Sequence, residues 1–216
     1  MADTATAQTK TALWPMIHEQ REKLGELLTT LTPQQWEAGS LCADWRVRDA
    51  VAHCVETQLM TPGRFIGHYV AAGFRFHAMS AKDVARHKQQ PTDQLLAEYK
   101  SSAGRSTAPP GPLIAMLGEA VIHAEDIARP LGKHIDAAPA TLVEAANYTR
   151  RTSPLLHGKQ RSAGLKLRAT DVEWTVGEGP EVSGPAASLI IALAGRKAGL
   201  DDLSGDGVET LRSRIP

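Results

Sequence analysis

The sequence has few of the residues on which several protein classes depend. Of its 216 residues only two are cysteines, Cys42 and Cys54, too few for a disulfide-stabilised scaffold or a cysteine-rich zinc site. Aromatic residues make up only 5%, which argues against a surface that stacks nucleic-acid bases. Neither charge sign is in excess, since Lys+Arg and Asp+Glu are 24 each. This balance argues against a dedicated nucleic-acid binder and against polybasic membrane attachment.

Long hydrophobic runs are also missing. The longest, residues 184–195, is about a dozen residues and contains Ser188, whereas a membrane-spanning helix needs about 20. The first ten residues lack the basic and apolar regions of a signal peptide. We therefore expect a soluble cytoplasmic protein with reduced cysteines, no membrane or nucleic-acid partner, and a monomeric or homodimeric state.

Helical periodicity dominates the first three quarters of the chain. Apolar residues recur at helical spacing from Leu13 to Leu31, and Thr32-Pro33 is a typical start of a short helix. Asp44 is the expected N-cap of the next helix, which extends to Gln58 or, through a kink at Pro62, to Gly73. Further helices are predicted over 92–102, 113–131 and 139–152.

The pattern changes after Gly158. Residues 165–176 alternate between apolar and polar, which predicts a strand, and residues 181–183 suggest a second one. An apolar helix over 184–198, a turn and a short final helix follow. The sequence thus predicts a mainly α protein, with a helical bundle of four main helices over residues 1–156 and a small α/β domain over 157–216.

Three polar side chains share one strip of the helix predicted over 113–131. At about 100° per residue, Glu119, His123 and Asp126 fall within about 60° of one another, beside the apolar stripe. Glu119 and His123 are an i,i+4 pair, whose side chains can converge. His53 flanks the stripe of the helix that follows Asp44. Packing of the two helices would then join two histidines and a carboxylate.

Such a set suits Zn²⁺ and, less selectively, Ni²⁺, Co²⁺ or Fe²⁺, and it leaves a fourth position open for catalysis. Asp126 would orient an imidazole ligand from behind. The alternative is structural, because a Glu and a His four residues apart are common on helices. The remaining six histidines have no comparable partners and are interpreted as surface or structural residues.

Five segments of the chain carry recognisable motifs. They are LTPQQW (31–36), LCADWRVRDAVAH (41–53), EAVIHAEDIARPLG (119–132), GPAASLIIALAGR (184–196) and LSGDG (203–207). These motifs resemble those of one family, the mycothiol-dependent maleylpyruvate isomerase-like proteins of the DinB-like metal-binding bundle superfamily. They occur in the family's order and span nearly the whole chain, with residues 73–112 the least similar part.

The resemblance implies a DinB-like four-helix bundle with a small C-terminal α/β domain. It implies that His53, Glu119 and His123 hold a divalent metal, with zinc the expected ion, and that mycothiol is the thiol cosubstrate. An actinobacterial source would follow. The implied activity is addition of a metal-activated thiolate to a small electrophile, either as an isomerase of the maleylpyruvate type or as a thiol S-transferase.

An acidic substrate would need cationic groups. The candidates are Arg46, Arg48, Arg64, Arg86 and Arg196, although a solvated surface position is the more usual interpretation for each. Arg196 ranks first as a catalytic candidate because it ends a motif shared with the family's appended domain. Cys54 lies on an apolar stripe and is expected to be an inert buried thiol. Cys42 precedes the helix of His53 and is a candidate for a position near the site.

Two other classes of function remain open. The chain could be a non-catalytic metal- or ligand-binding protein of the same fold that acts in a stress response, or a structural dimer without metal. Turnover of electrophiles with mycothiol in the presence of metal separates the enzyme from the first alternative. Elemental analysis separates it from the second.

Overall fold

The structure is a computed structural model that describes residues 2–42, 44–87, 89–153 and 156–216, with side chains from residue 12 onward. In these ranges no helix is both long and apolar enough to cross a membrane. The chain divides into two compact units. One comprises residues 1–116 and 126–135, and the other comprises residues 117–125 and 136–216.

Helices account for most of the described secondary structure. In chain order they are α1 (Ala2–Leu28), α2 (Pro33–Trp36), α3 (Val47–Gln58), α4 (Pro62–Ala71), α5 (Phe76–Arg86), α6 (Thr92–Ser102), α7 (Ile114–Ala128), α8 (Pro139–Arg151), α9 (Gly158–Arg161), α10 (Ala186–Leu193) and α11 (Val208–Arg212). Short 3₁₀ turns follow α7 and α10. The strands are β1 (Lys166–Ala169), β2 (Thr175–Val176) and β3 (Glu181–Gly184).

Helix α3 is central to the first unit. It packs against α2, α5 and α6, and α6 in turn packs against α1. The large, fully buried side chains here include Ile17, Leu28, Leu95 and Tyr99. The Tyr99 hydroxyl donates a hydrogen bond of 3.0 Å to the Arg21 carbonyl, so this buried aromatic ring also has its polar atom satisfied.

The second unit is built around a three-stranded sheet and α10. The strand order is β2-β1-β3, with β1 antiparallel to β2 and parallel to β3. Leu167 pairs with Val176 on one side and Val182 on the other. Every residue of α10 is buried, because the helix packs against α8, β1 and β3. The predicted mainly helical fold with a small α/β region is confirmed. The domain boundary near residue 156 stays a prediction, since residues 154 and 155 lie outside the described ranges.

One predicted feature of α3 is wrong, because Asp44 does not cap the helix. It has a positive φ of 66°, and the cap is Arg46, whose backbone N–H donates to Asp49 Oδ2 at 3.0 Å. Of the two predicted ends of the helix, Gln58 is confirmed and Gly73 is not. A separate helix, α4, starts at Pro62 because Thr61 Oγ1 accepts the Arg64 N–H at 3.3 Å, as an N-cap does.

The strand predicted over 165–176 is two strands with a turn between them. The Trp174 N–H donates to the Val172 carbonyl, and the Ala169 N–H donates to the Trp174 carbonyl, each at 2.9 Å. The alternation of apolar and polar residues continues through the turn because the apolar Trp174 side chain is only 6% exposed and packs in the core. Helix α5 was not predicted, since its sequence FHAMSAKDVAR mixes apolar and charged residues.

Candidate metal centre

Helix α3 carries His53 beside its buried face. Val47, Ala50 and Val51 are fully buried, which confirms the apolar stripe. The start of the helix is fixed by Asp49, whose Oδ2 accepts hydrogen bonds from the backbone N–H and the Nε of Arg46 at 3.0 and 2.9 Å. Burial raises the pKa of the Asp49 carboxyl, but the hydrogen bonds from Arg46 outweigh it, so the pKa lies below its ordinary value.

Helix α7 carries Glu119 and His123, both half-buried. The predicted stripe is confirmed at Leu117 and Ile127, which are fully buried. The buried surface is wider than predicted, since Asp126 on the polar strip is 0% exposed. Because α7 is buried on most of its circumference, the backbone that carries the two candidate ligands is held firmly in place.

The three predicted ligands converge. One ligand atom from each of His53, Glu119 and His123 lies within 4.8 Å of the other two. Ion-to-ligand distances at zinc are about 2.0–2.2 Å, so small side-chain adjustments would bring all three atoms onto one ion. Two imidazole nitrogens and one carboxylate oxygen fit a divalent metal with an open fourth position. That a metal occupies this position is a proposal, argued below.

Trp45 supports the His53 ring and was not singled out in the sequence. The two ring centroids lie 5.2 Å apart at an interplanar angle of 47°. A bulky neighbour at this distance restricts the rotation of the imidazole. The sequence signal available was the position of Trp45 at the end of the loop before α3, which does not by itself indicate a contact with His53.

Cys42 lies next to the polar strip of α7. Its Sγ donates a hydrogen bond of 3.0 Å to Asp126 Oδ2, and the neighbouring Leu41 N–H donates to the Asp126 carbonyl at 2.9 Å. Ligand atoms of Cys42, His123 and Asp126 also lie within 4.8 Å of one another. The thiol therefore stands close to a candidate ligand, in agreement with the hypothesis drawn from its sequence position. Cys54 is buried, as expected for an inert thiol.

Four of the five candidate arginines pair with carboxylates. The pairs are Arg46 with Glu37 and Asp49, Arg48 with Glu37, Arg64 with Glu56, and Arg86 with Asp83 and Glu56. Arg196 Nη1 donates a hydrogen bond of 2.9 Å to the Ala194 carbonyl. Burial of the Arg161 guanidinium lowers its pKa, and the positive charge of Arg196 lowers it further. The catalytic role of Arg196 stays a prediction.

A second group of potential ligands consists of Glu56, His68 and Asp83, again within 4.8 Å of one another. Both carboxylates already have cationic neighbours. Arg64 Nη2 lies 3.2 Å from Glu56 Oε2, and Arg86 Nη1 lies 2.8 Å from Asp83 Oδ1. The guanidinium groups supply the positive charge that buried carboxylates require, which favours an ion-pair network here over a metal site.

Comparison with known proteins agrees with the motifs. Residues 17–111 match the family model described as the mycothiol maleylpyruvate isomerase N-terminal domain. The family resemblance is confirmed. The matched segment contains His53 and Cys42, whereas Glu119 and His123 follow it.

The fold is that of two solved structures. The first is a crystal structure of the mycothiol-dependent maleylpyruvate isomerase, 15% identical, with a TM-score of 0.61 over 91% of this chain and 92% of that chain. The second is the same enzyme with one histidine replaced by alanine, 14% identical, with a TM-score of 0.56 and the same coverage. The predicted DinB-like fold is thereby confirmed. No curated protein sequence matches the chain significantly.

Proposed function

We propose that the protein is a mycothiol-dependent enzyme of the maleylpyruvate isomerase type, with a divalent metal, zinc in our proposal, held by His53, Glu119 and His123. The observation that carries the proposal is the convergence of these three ligand atoms within 4.8 Å. The confirmed family resemblance supports it, because the same three positions match the family's two metal motifs.

The chain's own residues would divide the work at the site. A divalent ion held there supplies Lewis acidity, which favours the ionised form of a thiol at the open position. His53 and His123 contribute neutral nitrogen donors, and Glu119 contributes the compensating negative charge. Asp126, fully buried, would fix the orientation of His123, and Cys42 donates to its carboxylate.

Two reaction outcomes follow from the same thiol chemistry. The sulfur adds to one carbon of a double bond, forming a C–S bond and leaving a single bond about which the adduct rotates. In an isomerase the C–S bond then breaks, so the trans product and the thiol are both released. In a transferase the C–S bond persists and one thiol is consumed for each product molecule.

Arg196 is our proposed contact for a carboxylate of an acidic substrate. The sequence supports this choice, since the residue ends a motif that resembles the family's small α/β domain. Replacing Arg196 with Lys would retain the charge but lose the two-pronged hydrogen bonding that suits carboxylates.

The test is a turnover assay with mycothiol, using maleylpyruvate and a generic electrophile in parallel. Purified protein loaded with zinc is compared with protein treated with a chelator, and free thiol is measured alongside product. The proposal expects metal-dependent conversion of maleylpyruvate with free thiol unchanged. Stoichiometric loss of thiol with a generic electrophile would assign the transferase outcome. Binding of metal with no turnover of either compound would contradict an enzymatic role.

A further inference from the structure

A cavity of about 400 Å³ opens in the second unit, beside the end of α8. Its lining includes Arg150, Arg151, Lys159 and Glu178. The volume is within the range of small-molecule sites. Gly177 forms part of the wall, and a Cβ at this position would lie 2.3 Å from the Leu165 carbonyl oxygen. The close approach of the Leu165 backbone thus explains why this wall position is glycine.

The cavity carries an excess of positive charge. The lining has three cationic side chains and one carboxylate, and within the described ranges the structure gives no ion pair or hydrogen bond to the side chains of Arg150, Arg151 or Lys159. The two cations of strand β1, by contrast, are paired with a carboxylate. Lys166 Nζ and Arg168 Nε each lie 2.9 Å from a carboxylate oxygen of Glu181.

Arg150 supplies a second, independent observation. Its Nε is buried and has no hydrogen-bond partner in the described structure. A buried donor without an acceptor costs stability. Because this Nε has almost no exposed surface, a ligand in the cavity would satisfy it by drawing the guanidinium toward the opening, which would relieve this cost.

The helix dipole explains only part of the arrangement. Arg150 and Arg151 lie in the last turn of α8, where cations interact favourably with the carbonyl end of a helix. Lys159 lies on α9, which has only four residues, too few for aligned peptide dipoles to account for its position. Nor does the dipole provide an acceptor for Arg150 Nε.

We propose that this cavity binds a small anion through a phosphate or carboxylate group. Arg150 offers the buried donor, and Arg151 and Lys159, both exposed, complete a positive rim. Guanidinium groups are the side chains best shaped to bind either group. The site is independent of the metal chemistry proposed above, so its test requires neither metal nor mycothiol.

The test is calorimetric titration of the full chain with inorganic phosphate, and separately with succinate, at constant ionic strength. We expect saturable binding of one of these probes. Arg150→Gln and Lys159→Gln should each weaken it by about tenfold or more, because each removes a charge-assisted contact. The matched control is Lys197→Gln, which removes an exposed cation outside the cavity lining and should leave the affinity unchanged.

The two probes identify the ligand group. Binding of phosphate alone would assign a phosphate ligand, and binding of succinate alone would assign a carboxylate. Since Arg150→Gln alters a buried donor, its fold is checked by circular dichroism, and the exposed Lys159→Gln provides the same test without that concern. Absence of saturable binding for both probes, or equal weakening by Lys197→Gln, would overturn the proposal.

Discussion

Asp126 connects a loop thiol to a candidate metal ligand. Its carboxylate is fully buried, accepts a hydrogen bond from Cys42 Sγ at 3.0 Å, and lies in one group of converging ligand atoms with His123. A buried carboxylate in this position can hold an imidazole in one orientation and tautomer. We therefore expect Asp126 to affect metal affinity although it is not itself a proposed ligand.

Replacing Asp126 with Asn should weaken zinc binding by about 10–100-fold, the usual effect of losing a carboxylate partner of a ligating imidazole. Affinity is measured by competition with a chromophoric chelator. Cys42→Ala should act in the same direction but less strongly, because it removes only a donor to that carboxylate. Asp206→Asn, at an exposed position, serves as the control. Unchanged zinc affinity in Asp126→Asn would show that this carboxylate does not orient His123.

Asp49 should make the stability of the protein pH-dependent. Its pKa is lower in the folded state than in the unfolded chain, so its contribution is fully present at neutral pH and disappears as the pH falls through the folded pKa. We expect Asp49→Ala to reduce the free energy of unfolding at pH 7 by about 1 kcal/mol. The difference from wild type should shrink below about pH 4.

Urea unfolding at a series of pH values measures this effect. The exposed Asp206→Ala provides the comparison and should change stability little at any pH. A difference between wild type and Asp49→Ala that stays constant from pH 7 to pH 3 would contradict the assignment of the stabilisation to the ionised carboxylate.

The candidate ligands were accessible from sequence, whereas their surroundings were not. Helical spacing predicts that Glu119 and His123 can converge, since an i,i+4 pair meets on any regular helix, and the family resemblance identifies them as ligands. The contact of Cys42 with Asp126 depends on the path of an irregular loop. Local patterns do not determine that path, so only the proximity of Cys42 to the site could be suggested.

At the level of elements, α7 depends on a close approach to α8. A Cβ at Gly118 would lie 2.6 Å from Cδ1 of the Tyr148 ring, closer than side chains tolerate. Glycine in a helix is otherwise less favourable than alanine by about 1 kcal/mol. Its presence beside Glu119 indicates that tight packing at this point outweighs helix propensity.

Gly118→Ala should therefore destabilise the protein despite the better helix propensity of alanine, by about 1–3 kcal/mol as for other overpacked sites. Zinc affinity should fall with it, because a displaced α7 moves Glu119. The control is the double variant with Tyr148→Ala, in which the methyl group has room and the effect of Gly118→Ala should vanish or reverse. Thermal unfolding and zinc titration measure both properties. A more stable Gly118→Ala single variant would contradict this packing argument.

Elements with a clear period were predicted and the others were not. Helices α6 and α8 have regular apolar spacing and lie where the sequence placed them. Helix α5 was missed because its buried residues include Ser80 and Asp83, which a hydrophobic pattern does not count. The β1–β2 turn fits the strand pattern because buried Trp174 continues the alternation of apolar and polar residues.

For the whole molecule, the pairing of arginines with carboxylates helps to distinguish ion-pair networks from a candidate metal site. Most of the candidate arginines have their charge offset by carboxylates, and the second group of potential metal ligands includes two such pairs. Among the groups of potential ligands in the described residues, we propose that His53, Glu119 and His123 hold a catalytic metal. The central claim is that one ion at this position is required for thiol-dependent turnover.

The most direct test measures metal content and mycothiol-dependent turnover of maleylpyruvate on the same samples of wild type, His123→Ala and His77→Ala. His77 is exposed and lies outside the converging groups, so it controls for the loss of a histidine. We predict that wild type and His77→Ala contain one zinc ion per chain and are active, and that His123→Ala loses metal and turnover together. Full thiol-dependent activity in metal-free His123→Ala would contradict the account.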